Sequence, residues 1–477
     1  MFRYLFLCTC LALESSPHTQ LKLRGRLELP AFSKSSSWHG KHVSLRSALS
    51  NHHLGNTRQC RTCDSRSLVR HIDMFLGGFM ETQSNALLDG LNPEQQQAVL
   101  HQTGPMLVLA GAGTGKTRVL TRRVAMLIDN NVKPEQILAL TFTRKAAAEM
   151  KERVHELVGD CSQQIRIGTF HSLAMEIVRE YRHVVGLSRG FTIGLDLTFD
   201  RLIVLAAQIL TQIEVARSKF RTRFRFILVD EYQDTNVVQF EILRALLSEK
   251  ANLFVVGDDD QSIYGFQGAS RELIRSFPEL FPTAKTVTLH RNYRCAHSIV
   301  RLANSVSSKV WDRFDKRLTA CRDIEGSVYY SKLNTCSSER RFILNSIARF
   351  QESGFRCSDM AILVRSHSVG NSIGSFLESN GIQTGSENGV KVLTLHSSKG
   401  LEFPVVFIPA LEEGRLPHFA SVEAGYAAIE EERRLFYVGI TRARDHLVLS
   451  SAGERNERAQ IPSQFLREFP RRHFSSL

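Results

Sequence analysis

The stretch "MLVLAGAGTGKTRVL", residues 106–120, constrains this 477-residue chain more than any other. Five apolar residues read as a buried strand, "GAGTG" as a loop and "KTRVLTRRVAML" as a helix. Glycines let successive backbone N–H groups curl around phosphate oxygens, and the helix N-terminus adds partial positive charge. That chemistry assigns Gly111, Ala112, Gly113, Thr114, Gly115, Lys116, Thr117 and Arg118 to holding a nucleoside triphosphate. Lys116 is expected on the β- and γ-phosphates and the Thr117 hydroxyl on Mg²⁺. The usual pattern opens on glycine where this chain has Ala110, a small substitute.

A phosphate loop needs acidic partners at the same sheet edge. "FRFILVDEYQD" supplies a strand ending in Asp230 and Glu231, and ligands of open α/β sheets bind beyond the strands' carboxyl ends. Asp230 is expected to share the metal with Thr117, and Glu231 to polarise the attacking water. "VVGDDDQSIYGF" ends a further strand at Asp258–Asp260, followed by Gln261, whose amide suits a γ-phosphate. No Asn-Lys-x-Asp follows a strand, which argues against a guanine-reading GTPase, and an adenylate-kinase-like enzyme needs no second lobe.

From about residue 88 short β-rich runs alternate with amphipathic helical stretches, twice over. This predicts an α/β fold of two lobes, each a mainly parallel sheet covered by helices. The expected division is a leader at 1–87, lobe one at 88–282, lobe two at 283–455 and a tail at 456–477. No apolar run reaches the roughly 18 residues of a membrane-spanning helix. The nine cysteines are odd in number and scattered, and Cys60–Cys63 has no second pair to complete a zinc site.

The net charge of +13 invites a nucleic-acid partner, but residues 1–70 carry eleven Lys and Arg against three Asp and Glu. Most of the excess therefore belongs to the leader and says little about a groove in the folded part. That leader, rich in Ser and Arg and poor in acid, reads as disordered or as an organelle transit peptide. A short secretory apolar run at 4–13 and a start at Met80 are the alternatives. The compartments expected are the nucleus, or an organelle if the leader is a transit peptide.

Taken in order, the motifs from about 90 to 452 resemble those of UvrD/Rep-type superfamily-one DNA helicases, which implies two tandem RecA-like P-loop NTPase lobes. "LNPEQQQAV" resembles the adenine-reading motif, with Gln95 in the reading position; an amide can pair bidentately with adenine. "RNYRC" resembles the segment that stacks Tyr293 on the base and turns Arg294 to the γ-phosphate. "VLTLHSSKGLEF" resembles the coupling motif, with Thr394 and His396 on DNA and Glu402 toward the ribose, and "EEERRLFYVGITRAR" supplies Arg442 as a second arginine finger. "TFTRKAAAEM" and "GTFHSLA" resemble strand-contact segments, which brings in Phe142, Thr143, Arg144 and His171. Phe142, Tyr264 and Phe266 offer faces on which bases can stack.

The resemblance implies ATP and Mg²⁺ as cofactors and single-stranded DNA or single/double-strand junctions as partner. It further implies 3′ to 5′ movement with duplex unwinding, in repair or recombination. Three departures qualify this. Both large insertions usual in the family are nearly gone, with "LTFDRLIVLAAQIL" as the remnant of the first. Phe266 and Gln267 stand where Trp and Arg are common, and Arg144 where Asn is usual. A translocase that unwinds little, and a truncated binding protein without turnover, are the alternatives.

Overall fold

The computed structural model describes residues 86–194, 197–248, 252–469 and 474; the expectations for residues 1–85 lie outside them. Lobe one is built on six strands: β1 (Met106–Ala110), β2 (Ile137–Thr141), β3 (Arg166–Thr169), β4 (Phe226–Val229), β5 (Asn252–Gly257) and β6 (Lys285–Leu289). All pair in parallel, in the order β3-β2-β4-β5-β1-β6. A parallel sheet is covered on both faces, so its central strands are apolar throughout rather than alternating. In β1, Leu107 and Leu109 enter one core while Met106, Val108 and Ala110 enter the other. The carboxyl ends of β1, β2, β4 and β5 therefore carry the phosphate loop, Phe142, the Asp230–Glu231 pair and Asp258 along one edge.

A parallel pair of short strands, β7 (Arg291–Asn292) and β8 (Thr319–Ala320), leads into lobe two. Its sheet comprises β9 (Ser327–Thr335), β10 (Met360–Val364), β11 (Lys391–Thr394), β12 (Phe403–Ile408), β13 (Ala443–Arg455) and β14 (Arg458–Ala459). The order is β11-β10-β12-β13-β14, with β9 also on β13; only β13–β14 is antiparallel. Ala112 and Ile263 of lobe one belong to the apolar cluster of lobe two, so the cleft floor is shared.

Three boundaries differ from expectation. Residues 86 and 87 begin a helical turn and Leu87 is buried in the lobe-one core, so the lobe starts before residue 88. Lobe one runs past 282, because Lys285–Leu289 pairs with the free edge of β1 from Met106↔Lys285 to Ala110↔Leu289. The tail from 456 is not separate. Arg458 and Ala459 turn back on β13, and Phe465 is buried with its ring stacked 5.9 Å from Phe436. Burying such a ring stabilises by about 1.5–3 kcal/mol, which holds the segment around Phe465 against lobe two.

Helix Phe199–Gln212 is more than a remnant: Leu202, Ala206 and Leu210 lie in the same core as Leu173 and Ile177 of helix Phe170–Glu180. In lobe two, helix His367–Ser379 reaches β11 through a tight turn closed by Gly385 N to Val390 O (3.1 Å) and Val390 N to Gln383 O (3.0 Å). Among the described residues no helix is long and apolar enough to cross a membrane.

Candidate functional site

The loop after β1 turns on Gly113 (φ 67°) and Gly115 (φ 85°), in the left-handed region that glycine enters without cost. A Cβ at Gly113 would lie 2.7 Å from Arg294 Cβ, and one at Gly115 2.8 Å from Gln95 Nε2, so both positions also need the missing side chain. Lys116 opens helix Lys116–Asp129 and curls back to donate to Ala110 O at 3.2 Å. A cavity of about 540 Å³ gathers Ala112 to Arg118, Glu231 and Gln261 of lobe one with Tyr293, Arg294, Glu402 and Arg442.

The two acids at the end of β4 are unlike. Glu231 has φ 50°, a strained conformation for a side-chain-bearing residue, and the chain reverses there. Burial pushes the Asp230 carboxyl up to about 7, and neighbouring Glu231 adds to the rise. Burial acts on Glu231 in the same sense, but the charges of Lys116 and Lys399 and a hydrogen bond from Gln233 outweigh it and hold it low. Among the described residues the Asp230 carboxylate accepts one hydrogen bond, from Glu231 N at 3.0 Å, and has no ion pair. A buried carboxylate so placed calls for a cation. With the Thr117 hydroxyl it offers the hard oxygen donors Mg²⁺ prefers, so these residues fit the ion.

From lobe two, Arg294 Nε donates to Glu402 Oε2 at 2.6 Å and Nη1 to Thr441 O at 3.3 Å. Arg442 is 2% exposed and donates to Val438 O (3.0 Å), Leu401 O (3.2 Å) and Thr441 Oγ1 (3.1 Å). Burial and then the charge of Arg294 lower its pKa to about 9, which leaves it cationic at neutral pH. Among the described residues it has no carboxylate partner. A cation in a cavity lined by Lys116 and Arg294 is matched to a polyanion.

Some expected roles are not what the geometry gives. Gln95 is 1% exposed and does not line the cavity. Its amide donates to Thr114 O (2.9 Å) and accepts from Asn92 N (3.1 Å), while Asn92 Oδ1 accepts from Gln95 N (2.8 Å). Gln95 thus caps helix Pro93–Val99 and braces the phosphate loop instead of presenting its amide to a base. Gly111 lies under the loop, packed against Leu318. Tyr293 is 46% exposed and lines the cavity, as expected of a stacking platform, with its hydroxyl held by Asn92 Nδ2 at 2.9 Å. Glu402 pairs with Arg294 rather than standing free.

On the strand side, Phe142 stacks on Tyr264 with ring centroids 5.1 Å apart and planes 18° apart. Phe266 lies 6.0 Å from Tyr264 and edge-on to His396 at 5.4 Å, so both lobes contribute rings. Phe142, His171, Tyr264 and Phe266 line a second cavity of about 560 Å³. Burial, with Arg365 nearby, lowers the His396 pKa to about 4, so its ring is neutral. Two expected contacts are spoken for locally. Thr143 Oγ1 caps helix Arg144–Val158 by accepting from Ala146 N (3.1 Å), and Thr394 Oγ1 accepts from Ser397 N (3.2 Å). Both hydroxyls shape their loops, and Arg144 is exposed at the helix start outside the cavity.

Lys399 is the functional residue the motif reading passed over. Its ammonium is 2.5 Å from Asp234 Oδ2, 2.9 Å from Gln261 O and 5.0 Å from the Tyr264 ring centroid. The side chain is 8% exposed, and it crosses from the lobe-two loop into lobe one. The clue in sequence was a lysine inside "HSSKGLEF" matched by an acid closing "DEYQD", but nothing local joins residues so far apart.

The UvrD/REP helicase N-terminal domain model matches residues 91–198 and 194–282. The UvrD-like helicase C-terminal domain model matches 287–388 and 383–454. The chain belongs to the UvrD/REP helicase family. Two ATP-dependent DNA helicases PcrA, from Staphylococcus aureus (strain MRSA252) and Staphylococcus epidermidis (strain ATCC 12228), are each 26% identical over 634 aligned positions. These cover 81% of this chain and 87% of each relative. The alignments are longer than the chain, and each domain model matches in two pieces that meet near 194–198 and 383–388. The family's insertions are therefore missing at the short connection before helix Phe199–Gln212 and at the turn before β11.

Proposed function

We propose that this helicase-family protein couples ATP hydrolysis to 3′ to 5′ movement along single-stranded DNA. The observation that carries the reading is Lys399, whose one ammonium contacts the acidic motif of the hydrolysis site and a ring of the aromatic slot. ATP would lie between the lobes, its phosphates wrapped by the loop N–H groups and by Lys116. Mg²⁺, held by Thr117 and Asp230, would supply charge neutralisation of the phosphates. Glu231, kept ionised by the neighbouring lysines, accepts a proton from the attacking water. Arg294 must leave Glu402, and Arg442 its carbonyl cradle, to reach the terminal phosphate, so closure of the lobes and hydrolysis go together. The rings of Phe142, Tyr264 and Phe266 suit bases of any sequence.

A second reading within the same class, translocation with little strand separation, is favoured by the closed turn before β11 and by the two pieces of the N-terminal match meeting at 194–198. The direction of travel rests on the family resemblance, as do a junction substrate and a place in repair or recombination. ATPase rates with no nucleic acid, oligo-dT and an RNA homopolymer test the motor. Stimulation by oligo-dT, magnesium dependence and loss in Lys116→Ala are expected; hydrolysis indifferent to any single strand would refute it. A forked duplex with a 3′ or a 5′ tail then separates unwinding from translocation and reads polarity.

A further inference from the structure

Asp258, Asp259 and Asp260 are buried together at the end of β5. Three carboxylates in an interior oppose folding unless countered. Their counter-charge arrives from the segment that follows helix His297–Ser307 and leads to β8. Lys316 Nζ lies 2.9 Å from Asp258 Oδ1 and 2.9 Å from Asp260 Oδ2, and also pairs with Asp259. Arg313 grips Asp260 through Nε (3.0 Å) and Nη2 (2.7 Å), and Phe314 N donates to Asp259 Oδ2 (3.0 Å). The place a metal would take among these acids is filled by an ammonium.

Asp258 is the member with a second task. Its Oδ2 accepts from Gln261 Nε2 at 2.5 Å, so the amide that lines the nucleotide cavity is oriented by a carboxylate that Lys316 fixes. The segment bearing Lys316 bridges the two lobes: Phe314 packs against the lobe-one core and Arg271 and Arg275 hold Asp312, while on its other side it meets lobe two. Helix His297–Ser307 packs on helix Tyr426–Ile440, just before Arg442, and Trp311 N donates to Glu430 of that helix at 3.2 Å.

We propose that Lys316 is a positioning residue for hydrolysis: through Asp258 it sets the direction of the Gln261 amide and ties it to lobe two. This rests on the reading of the cleft given above. Small misplacements of a group at a reacting centre cost about 100-fold in rate, so the effect belongs in turnover rather than in ATP affinity.

The double variant Lys316→Met/Asp259→Asn removes the ammonium while keeping the net charge of the cluster, and melting curves check that it folds. Relative to Asp259→Asn alone, DNA-stimulated kcat should fall about tenfold or more with KM for ATP within about threefold. Adding Gln261→Ala should cost little more, since residues acting as one unit are not additive, and Lys316→Arg should restore part of the rate. Turnover within about twofold of Asp259→Asn, or a loss that multiplies fully with Gln261→Ala, overturns the proposal. Absence of DNA-stimulated ATPase in the wild type would instead sink the reading of the cleft, and this inference with it.

Discussion

The nucleotide cleft and the aromatic slot are both satisfied by their own residues, but by different forces. In the cleft the stand-ins are ionic and polar: Arg294 on Glu402, Lys116 on its own loop carbonyl. In the slot they are ring on ring, Phe142 against Tyr264 at 5.1 Å and Phe266 edge-on to His396. Polar stand-ins exchange one partner for another at small net cost, because each donor finds a phosphate or ribose oxygen in place of the old acceptor. Rings already stacked at about van der Waals separation leave no room for a base between them, so bases must stack on an outer face or part the pair. Filling the cleft therefore exchanges one polar partner for another, whereas a base takes an outer ring face of the slot or parts the stacked pair.

Substitutions can break that contrast from its strong end. Arg442→Ala should lower the rate of hydrolysis by about 10³-fold or more, the range for arginine fingers, with ATP binding changed much less. Single-turnover rates beside equilibrium binding of a fluorescent ATP analogue check it; an equal loss in both would make Arg442 a binding residue only.

Lys399→Met addresses the link between the two regions. Stimulation of the ATPase by oligo-dT should shrink about tenfold, within the range of site-to-site coupling energies, while the basal rate changes less. Stimulation preserved at the wild-type factor would mean the two sites communicate by another route. Tyr264→Ala should weaken oligo-dT binding by about 1–3 kcal/mol, measured by fluorescence anisotropy at fixed salt. Phe142→Ala should weaken it less, because freeing the Tyr264 face returns part of what the lost ring gave.

The smallest effect concerns pH. His396 has its folded pKa near 4, below the ordinary 6.5, so the fold favours its neutral form. That contribution to stability is complete above pH 6.5 and drains away as pH falls toward 4. Strand affinity should therefore show no inflection from His396 between pH 6.5 and 8. Thermal midpoints should fall on acidification, and His396→Asn, which gains no charge, should fall less steeply.

What could be read in the residues divides along the same line. The phosphate loop and Asp230–Glu231 are legible because their chemistry depends on strand ends and fixed local spacing, while Arg294 and Arg442 are placed only by the family resemblance; the loop, Glu231 and both arginines line one cavity. Gln95 carries a second task that the motif does not announce, because an amide three residues after Asn92 also completes a helix cap. Thr143 and Thr394 were likewise claimed by local backbone, as hydroxyls next to free N–H groups tend to be. Lys399 and Lys316 owe their importance to acids more than 50 residues away, and no local pattern records such a meeting. Strand β6 closes the first set of apolar runs although the division drawn at 282 precedes it, and its pairing with the open edge of β1 carries lobe one to Leu289.

Lys399 touches both the acidic motif and the aromatic slot. Whichever residues carry the coupling, any factor that a bound strand lends to nucleotide affinity the nucleotide must return to the strand in full. A comparison of oligo-dT affinity with empty, ATP-analogue-filled and ADP-filled protein therefore measures, from the opposite side, the same reciprocity that nucleotide titrations would report.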